Sequence, residues 1–379
     1  RGTRGFFKAP RATTPRGRLM RTCRALILGI GGQDGSYLTE ILLGRGWEVH
    51  GLYRRSSSDN LWRIRHLIGV EGKRHHPECW TGDRDCHSCC PKDQAERLVL
   101  HRGDMADPQS IDRVIRESDP DLLFNEADQD DAGWSGDIAA YSIDITAGAV
   151  GRLLESVCRY NRDSGREGTA SIRVFQPCSA LMFGNAPPPQ NEQTPFSPTS
   201  VFACAKVAAY YLCQHYRREH NVHVSTGILF NHDSPARSAD YVLHKICRAA
   251  VWIATGKQKI LTLGNLDQRI DIGYARDYME AAVAILELPA PGDYVIGTGQ
   301  GYSIGEMVDL AFQSAGLEAP KEEYVRLDPA FNREGPRPTL IADTSALGNA
   351  TGWVPRMDLK ALIDLIVDHE RHKLLSTLV

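Results

Sequence analysis

Short, nearly unbroken apolar runs alternate along the chain with longer stretches that carry apolar residues every third or fourth position. That alternation predicts strands interleaved with helices. "RALILGI" (24–30) reads as a buried strand and "GSYLTEILLGRG" (35–46) as a helix. "EVHGLYR" (48–54) predicts a second strand, and "RLVLHRGD" (97–104) a third, followed by a helix over 107–118. "DLLFNEA" (121–127) predicts a fourth strand, with a helix over 138–160 behind it. "SIRVFQPCS" (171–179) is a fifth, then a long helix over 199–219, then "VHVSTGILF" (222–230). Parallel neighbours need a crossover, and a helix between each pair of strands supplies one, so the fold class is α/β with a doubly wound parallel sheet of the Rossmann kind. After residue 230 the order is mixed. Helices near 240–255, 274–288, 303–315 and 358–375 predict a smaller mixed α/β C-terminal lobe.

The first strand-to-helix junction carries "GIGGQDG", with Gly29, Gly32 and Gly35 spaced for a tight turn. Such a loop lets a phosphate approach the N–H groups at a helix N-terminus, so Gln33 and Asp34 at the helix start join the glycines as cofactor candidates. A glycine triplet alone is weak, but its place between a strand and a helix is the context that the motif needs. The second strand ends in "RRSSS" (54–58). A carboxylate there would favour NAD through the ribose 2′-hydroxyl. Arg54, Arg55 and Ser56 instead suit a 2′-phosphate and hence NADP(H), the bland alternative being a solvated turn. Asp104, closing the third strand, is placed near the adenine. The expected division is a dinucleotide-binding domain over 24–235 and a second lobe over 236–379, some of whose segments return to the first domain.

Composition is that of a globular protein: 379 residues, 42% apolar and 24% charged. No apolar run reaches the eighteen or so residues that a membrane-spanning helix requires. The net charge of −3 hides an asymmetry, because residues 1–24 carry eight Lys/Arg and no acid, leaving −11 for the rest. The arm over 1–23 is rich in Gly, Pro and Thr. It resembles an organellar transit peptide or the end left after one is trimmed, which points to a mitochondrion, on the matrix side. Ten cysteines in so long a chain do not make a disulfide scaffold. Four chelating residues do cluster within 69–96: His76-x₂-Cys79 and Cys86-x₂-Cys89 have the spacing of a structural zinc site, with His75, His87 and Cys90 to spare. A flexible loop or a disulfide is the competing account of that segment.

From about 24 to 355 the chain resembles the GDP-mannose 4,6-dehydratases, a family of extended short-chain dehydrogenases/reductases. The stretches that carry the likeness are "GIGGQDGSYLTEILLGRGWEVHGLYRRSSS", "GILFNHDSP" (227–235), "LGNLDQRIDIGYARDYMEA" (263–281) and "RPT" (337–339). The resemblance implies an NADP cofactor, a GDP-sugar substrate, and dimers or tetramers formed through helices of the first domain. It assigns His232 and Arg237, with Lys206, to the cofactor, and Asn231, Arg269 and Arg337 to the sugar nucleotide. It also exposes departures. The family's tyrosine falls on Phe202 of "FACAK" (202–206), and phenylalanine has no proton to exchange. Lys206 and Ser179 remain, but the family's eliminating glutamate falls on Leu181 in "QPCSALMFG" (176–184). Tyr210 lies two turns beyond Phe202, about 11–12 Å along the axis, too far to substitute. Ile270 and Ile272 stand where the family has arginine and tryptophan. Residues 69–96 have no family counterpart.

A last departure is "NEADQDD" (125–131), where the resemblance leads one to expect a small apolar loop along the cofactor. Carboxylates beside a pyrophosphate would repel it by about 1 kcal/mol or more each. The loop is therefore expected to turn outward into solvent, the sharper alternative being an acidic patch that docks a basic partner. Two functional readings follow. In the first, the chain is a catalytically inactive relative of the dehydratases, an accessory subunit of a larger organellar assembly that keeps NADP(H) as a structural ligand. Its arm and its insertion would then contact other protein subunits. In the second, it is an active NADP-dependent enzyme of altered chemistry, using Ser179 and Lys206. Nucleic-acid contact by the basic arm is conceivable in a ribosome-like particle, but no motif supports it.

Overall fold

A computed structural model describes residues 22–68, 92–319, 321–328 and 339–376. The first half alternates as the pattern predicts: β1 (Arg24–Leu28), α1 (Gln33–Gly44), β2 (Glu48–Tyr53), a short α2 (Lys92–Glu96), β3 (Leu98–Arg102), α3 (Pro108–Ser118) and β4 (Leu122–Asn125). Then come α4 (Ala139–Ile143), α5 (Ala149–Asp163), β5 (Arg173–Ser179), α6 (Val201–Glu219), β6 (Val224–Leu229) and β7 (Asn231–Asp233). The second half holds α7 (Val242–Ala254), β8 (Leu261–Leu263), β9 (Arg269–Tyr274), α8 (Ala275–Glu287), β10 (Asp293–Ile296), β11 (Gly301–Ser303) and α9 (Ile304–Ala315). It closes with β12 (Val325–Leu327), α10 (Ser345–Thr351) and α11 (Leu359–Ser376).

Seven parallel strands form the main sheet in the order β10-β6-β5-β4-β1-β2-β3. From β1 the chain first winds toward β3 and then crosses to β4 and winds the other way, so the order reverses between β1 and β4. Ligands of open α/β sheets bind outside the carboxyl ends of the strands at such a reversal. One face of the sheet packs on α1 and α8, the other on α3, α5 and α6. The second lobe is built on α7, α9 and α11 around a separate apolar cluster, with small sheets β11-β9-β7 and β12-β8. β10 and α8 are the segments that return to the first domain.

Local sequence accounts for the element ends. Asp107 caps α3 by accepting from the N–H groups of Gln109 and Ser110, with Pro108 in the first turn. Ser303 and Glu306 form a reciprocal capping box at α9, which Gly316 ends in the left-handed region. One element departs from expectation. The single helix expected over 138–160 is interrupted by a wider π turn, Asp144–Gly148, between α4 and α5. Among the described residues no helix is long and apolar enough to cross a membrane.

Candidate functional site

At the reversal point lies a cleft of about 1200 Å³. Its floor starts at the glycine loop. Gly29 takes φ +80°, and a Cβ there would meet the Glu126 carbonyl oxygen at 2.6 Å. Gly35 allows the helix to lie on the loop, since a Cβ would fall 2.5 Å from the Gly29 oxygen. Gly32 is the N-cap of α1 and offers no side chain to its first amides, which face the cleft. Gln33 lines the cleft but is spoken for: its Oε1 accepts from Ser234 Oγ at 2.7 Å. Arg63 holds the loop from the side, donating to the carbonyls of Gly31 (3.0 Å) and Ala236 (2.6 Å).

Of the three residues expected to read a 2′-phosphate, Arg54 lines the cleft, whereas Arg55 and Ser56 lie exposed outside its lining. Arg54 Nη1 donates to Tyr141 Oη at 3.0 Å, which ties the guanidinium to α4. Asp104 also lines this end and accepts from the Ala106 amide at 2.9 Å.

The opposite end is formed by β5, α6 and the loop after β4. Phe202 is buried, its ring centroid 5.6 Å from Lys206 Nζ. Leu181 and Ser179 line the same end, and the Ser179 hydroxyl accepts from the Leu181 amide at 3.2 Å. Tyr210 turns away and donates to Asp293 at 3.2 Å, so it does not reach the cleft. The described groups around the Lys206 ammonium include the Phe202 ring, the Pro177 carbonyl and the carboxyls of Asp128 and Glu126.

The acidic loop corrects the expectation that it turns outward. Asp128 points into the cleft and forms an ion pair with Lys206 at 2.6 Å. Its other oxygen accepts from Thr146 Oγ1 at 2.5 Å, on the π turn, and from the Gln129 amide at 2.8 Å. Lys206 in turn donates to the Pro177 carbonyl at 2.8 Å. Burial alone would depress the Lys206 pKa, but Asp128 outweighs it and raises the pKa. A partner for a buried ammonium is the physical reason the loop points inward.

Glu126 lies beside this pair with one carboxyl oxygen buried and without a hydrogen-bond partner. Burial first, and then the nearby Asp34 carboxylate, push its pKa well above the ordinary range, which favours its neutral form. Asp34 follows the opposite course: burial favours its neutral form, but His232 Nε2 at 2.9 Å wins and holds its pKa low. His232 is correspondingly raised against the pull of burial. At the rim, Asp130 accepts from Tyr241 Oη at 3.0 Å and faces Arg237 at 3.7 Å, while Arg237 stacks 3.5 Å over the Tyr241 ring. Only Asp130 and Asp131 are exposed as the loop was expected to be.

On the second-lobe side, Asn231, His232 and Arg237 line the cleft together with Ile270 and Ile272. Arg269 does not join them: it is exposed, bonded to the Gly301 carbonyl and paired with Glu306 at 3.4 Å. Arg337 lies outside the described residues, as do the zinc candidates His76, Cys79, Cys86 and Cys89. Among the described residues no group of three or more His, Cys, Asp or Glu could hold a metal ion. The sequence reading missed Arg63, Thr146 and the inward role of Asp128. The acid-rich string flagged the loop, but nothing local said which way it faced.

Comparison with known proteins adds the family. The model of the GDP-mannose 4,6 dehydratase family matches residues 26–366. The chain is 39% identical over 346 residues to GDP-mannose 4,6 dehydratase 2 of Arabidopsis thaliana, covering 91% of this chain and 86% of that one. Among solved structures it is similar to a Thermus thermophilus UDP-glucose 4-epimerase in complex with NAD, with TM-score 0.71, 24% identity, and coverage of 92% and 99%. It is also similar to RMD from Pseudomonas aeruginosa complexed with NADPH, with TM-score 0.69, 18% identity, and coverage of 93% and 98%.

Proposed function

The chain belongs to the GDP-mannose 4,6-dehydratase family, and from that membership we propose that it is a member without dehydratase chemistry, working as a structural subunit of a larger, mitochondrial-matrix assembly. The observation that carries this reading is the arrangement at Lys206. The ammonium is bound by Asp128 and Pro177, Phe202 stands one turn before it, and Leu181 faces the same end of the cleft. Neither apolar residue can move a proton, so two transfers that the family's reaction needs have no agent. Each such loss lowers a rate by about 10²–10⁴-fold, and the two together remove the route.

The cleft still fits part of a nicotinamide dinucleotide. The glycine loop, the uncapped start of α1 and Arg54 suit the adenosine diphosphate and a 2′-phosphate. NADP(H) is therefore the structural ligand we assign, a group that carries hydride chemistry when a partner acid or base is present. The basic arm and the 69–96 insertion, with its two x₂ pairs as a zinc staple, are the segments we assign to subunit contacts.

Glu126 supports a second reading, an active NADP-dependent enzyme of altered chemistry. A carboxyl whose neutral form is favoured in a cleft is a general acid by its chemistry, and it lies beside Lys206. The deciding experiment is gradient sedimentation of a gently prepared lysate, with GDP-mannose turnover assayed across the fractions. Co-migration with a megadalton particle and no dehydrated sugar supports the structural reading. Migration as a dimer or tetramer of 42.0 kDa chains that turn over a GDP-sugar overturns it.

A further inference from the structure

We propose that this cleft grips its nucleotide by the 2′-phosphorylated adenosine diphosphate half alone, and that Asp128 and Glu126 hold the nicotinamide half off. The inference rests on the NADP(H) assignment above and deepens it. A dinucleotide whose pyrophosphate sits at the start of α1 runs from the end of β2 toward α6. Between those points its second half must cross the end of β4, and there the chain presents Glu126 and Asp128. The second of them is not free to swing aside. Asp128 is held by three donors, on Lys206, Thr146 and the Gln129 amide. The Glu126 backbone is fixed by its amide bond to the Leu28 carbonyl at 2.9 Å, and its carbonyl lies against Gly29.

Charge points the same way. Lys206 is the cation placed to receive the second ribose, and it is already neutralised at 2.6 Å. Two of its three hydrogens are directed to Asp128 and Pro177. A ligand that engaged Lys206 would share the ammonium with Asp128, which stays as a carboxylate beside the ligand's own phosphates. At the other end Arg54 is exposed and its guanidinium faces the cleft, so an anion there meets an available cation. The cleft thus offers a cation at one end and carries its own carboxylate at the other.

The test is isothermal titration of the full chain with 2′,5′-ADP, NADP⁺, NADPH and nicotinamide mononucleotide, repeated on Asp128→Asn and Glu126→Ala. The expected result is dissociation constants for 2′,5′-ADP, NADP⁺ and NADPH within fivefold of one another, with no binding of the mononucleotide. Asp128→Asn, which removes the charge, and Glu126→Ala, which removes the bulk, should each tighten NADPH at least tenfold and leave 2′,5′-ADP unchanged. If Asp128→Asn does not fold, Glu126→Ala carries the same expectation. NADPH binding more than fivefold tighter than 2′,5′-ADP in the unmodified chain overturns the inference. So does weaker NADPH binding in Glu126→Ala, which would make the unpartnered oxygen a ribose acceptor. Absence of binding by any of the four removes the NADP(H) assignment itself, while the dehydratase assay judges the loss of chemistry separately.

Discussion

Glu126→Leu should make this protein more stable, and by an amount that depends on pH. Glu126 carries a buried carboxyl oxygen without a partner, and burial and Asp34 favour its neutral form. In the unfolded chain it ionises near its ordinary value of 4.5. An acid whose folded pKa is raised contributes its best stability below the unfolded pKa and loses it as pH rises through the folded one. A buried polar atom left unpaired costs about 1–3 kcal/mol, so we expect a gain of that order at pH 7.5 and a smaller gain at pH 5, nearer the unfolded pKa. Urea unfolding followed by tryptophan fluorescence at both pH values reads the difference. A gain equal at the two pH values, or a loss at pH 7.5, would refute the argument that Glu126 is a protonated, unsatisfied group.

Asp128→Ala removes the partner of a buried ammonium and should destabilise the fold by about 3–5 kcal/mol, with Lys206→Met in the same background recovering most of it. His244 is 2% exposed, with Glu370 at 3.0 Å and Asp233 at 3.9 Å, and although burial opposes it the two acids raise its pKa to about 9. A histidine raised in the folded state stabilises fully below its unfolded value of 6.5, so stability should fall by up to about 3 kcal/mol as pH rises through 9, and His244→Gln should flatten that slope in urea titrations. The double variant Phe202→Tyr/Leu181→Glu should still give no keto-sugar from GDP-mannose, since Lys206 stays bound to Asp128; product detected by mass spectrometry would show that the two side chains were the whole defect.

The parallel sheet was legible because its cause is local: apolar runs and glycine turns repeat in step with the strands, and β1 to β6 fall within two or three residues of where the pattern puts them. The glycine loop was legible for the same reason, and Gly29 is indeed the left-handed residue at the turn. What stayed hidden depends on partners far apart in the chain. The orientation of Asp128 is decided by Lys206, seventy-eight positions later, and a carboxylate read without that cation belongs in solvent. The π turn at 144–148 leaves helical periodicity almost unchanged, so only the Thr146 contact to Asp128 reveals its use. The resemblance assigns Arg269 to the sugar nucleotide, and only the fold shows that on β9 it is bonded to the Gly301 carbonyl and paired with Glu306.

These departures are one adjustment rather than several. A lysine on α6 facing the ends of β4 and β5 sits in a nearly dry site, 4% exposed. With phenylalanine at 202 the nearest ring offers only its face, 5.6 Å away, worth about 0.5–2 kcal/mol and too little to hold a buried charge. Two sequences of change could resolve that: loss of the lysine, or gain of an anion. The chain has the anion, at 2.6 Å, with Thr146 and the Gln129 amide orienting it. Asp128 therefore depends energetically on Lys206, and Lys206 on Asp128, without reference to any substrate. A lysine kept in this way is explained by the stability of the fold, so its presence is no argument for catalysis. The double-variant cycle of Asp128 and Lys206 should accordingly show a coupling of about 2–4 kcal/mol in stability. A coupling near zero would return Lys206 to the list of residues awaiting a chemical role.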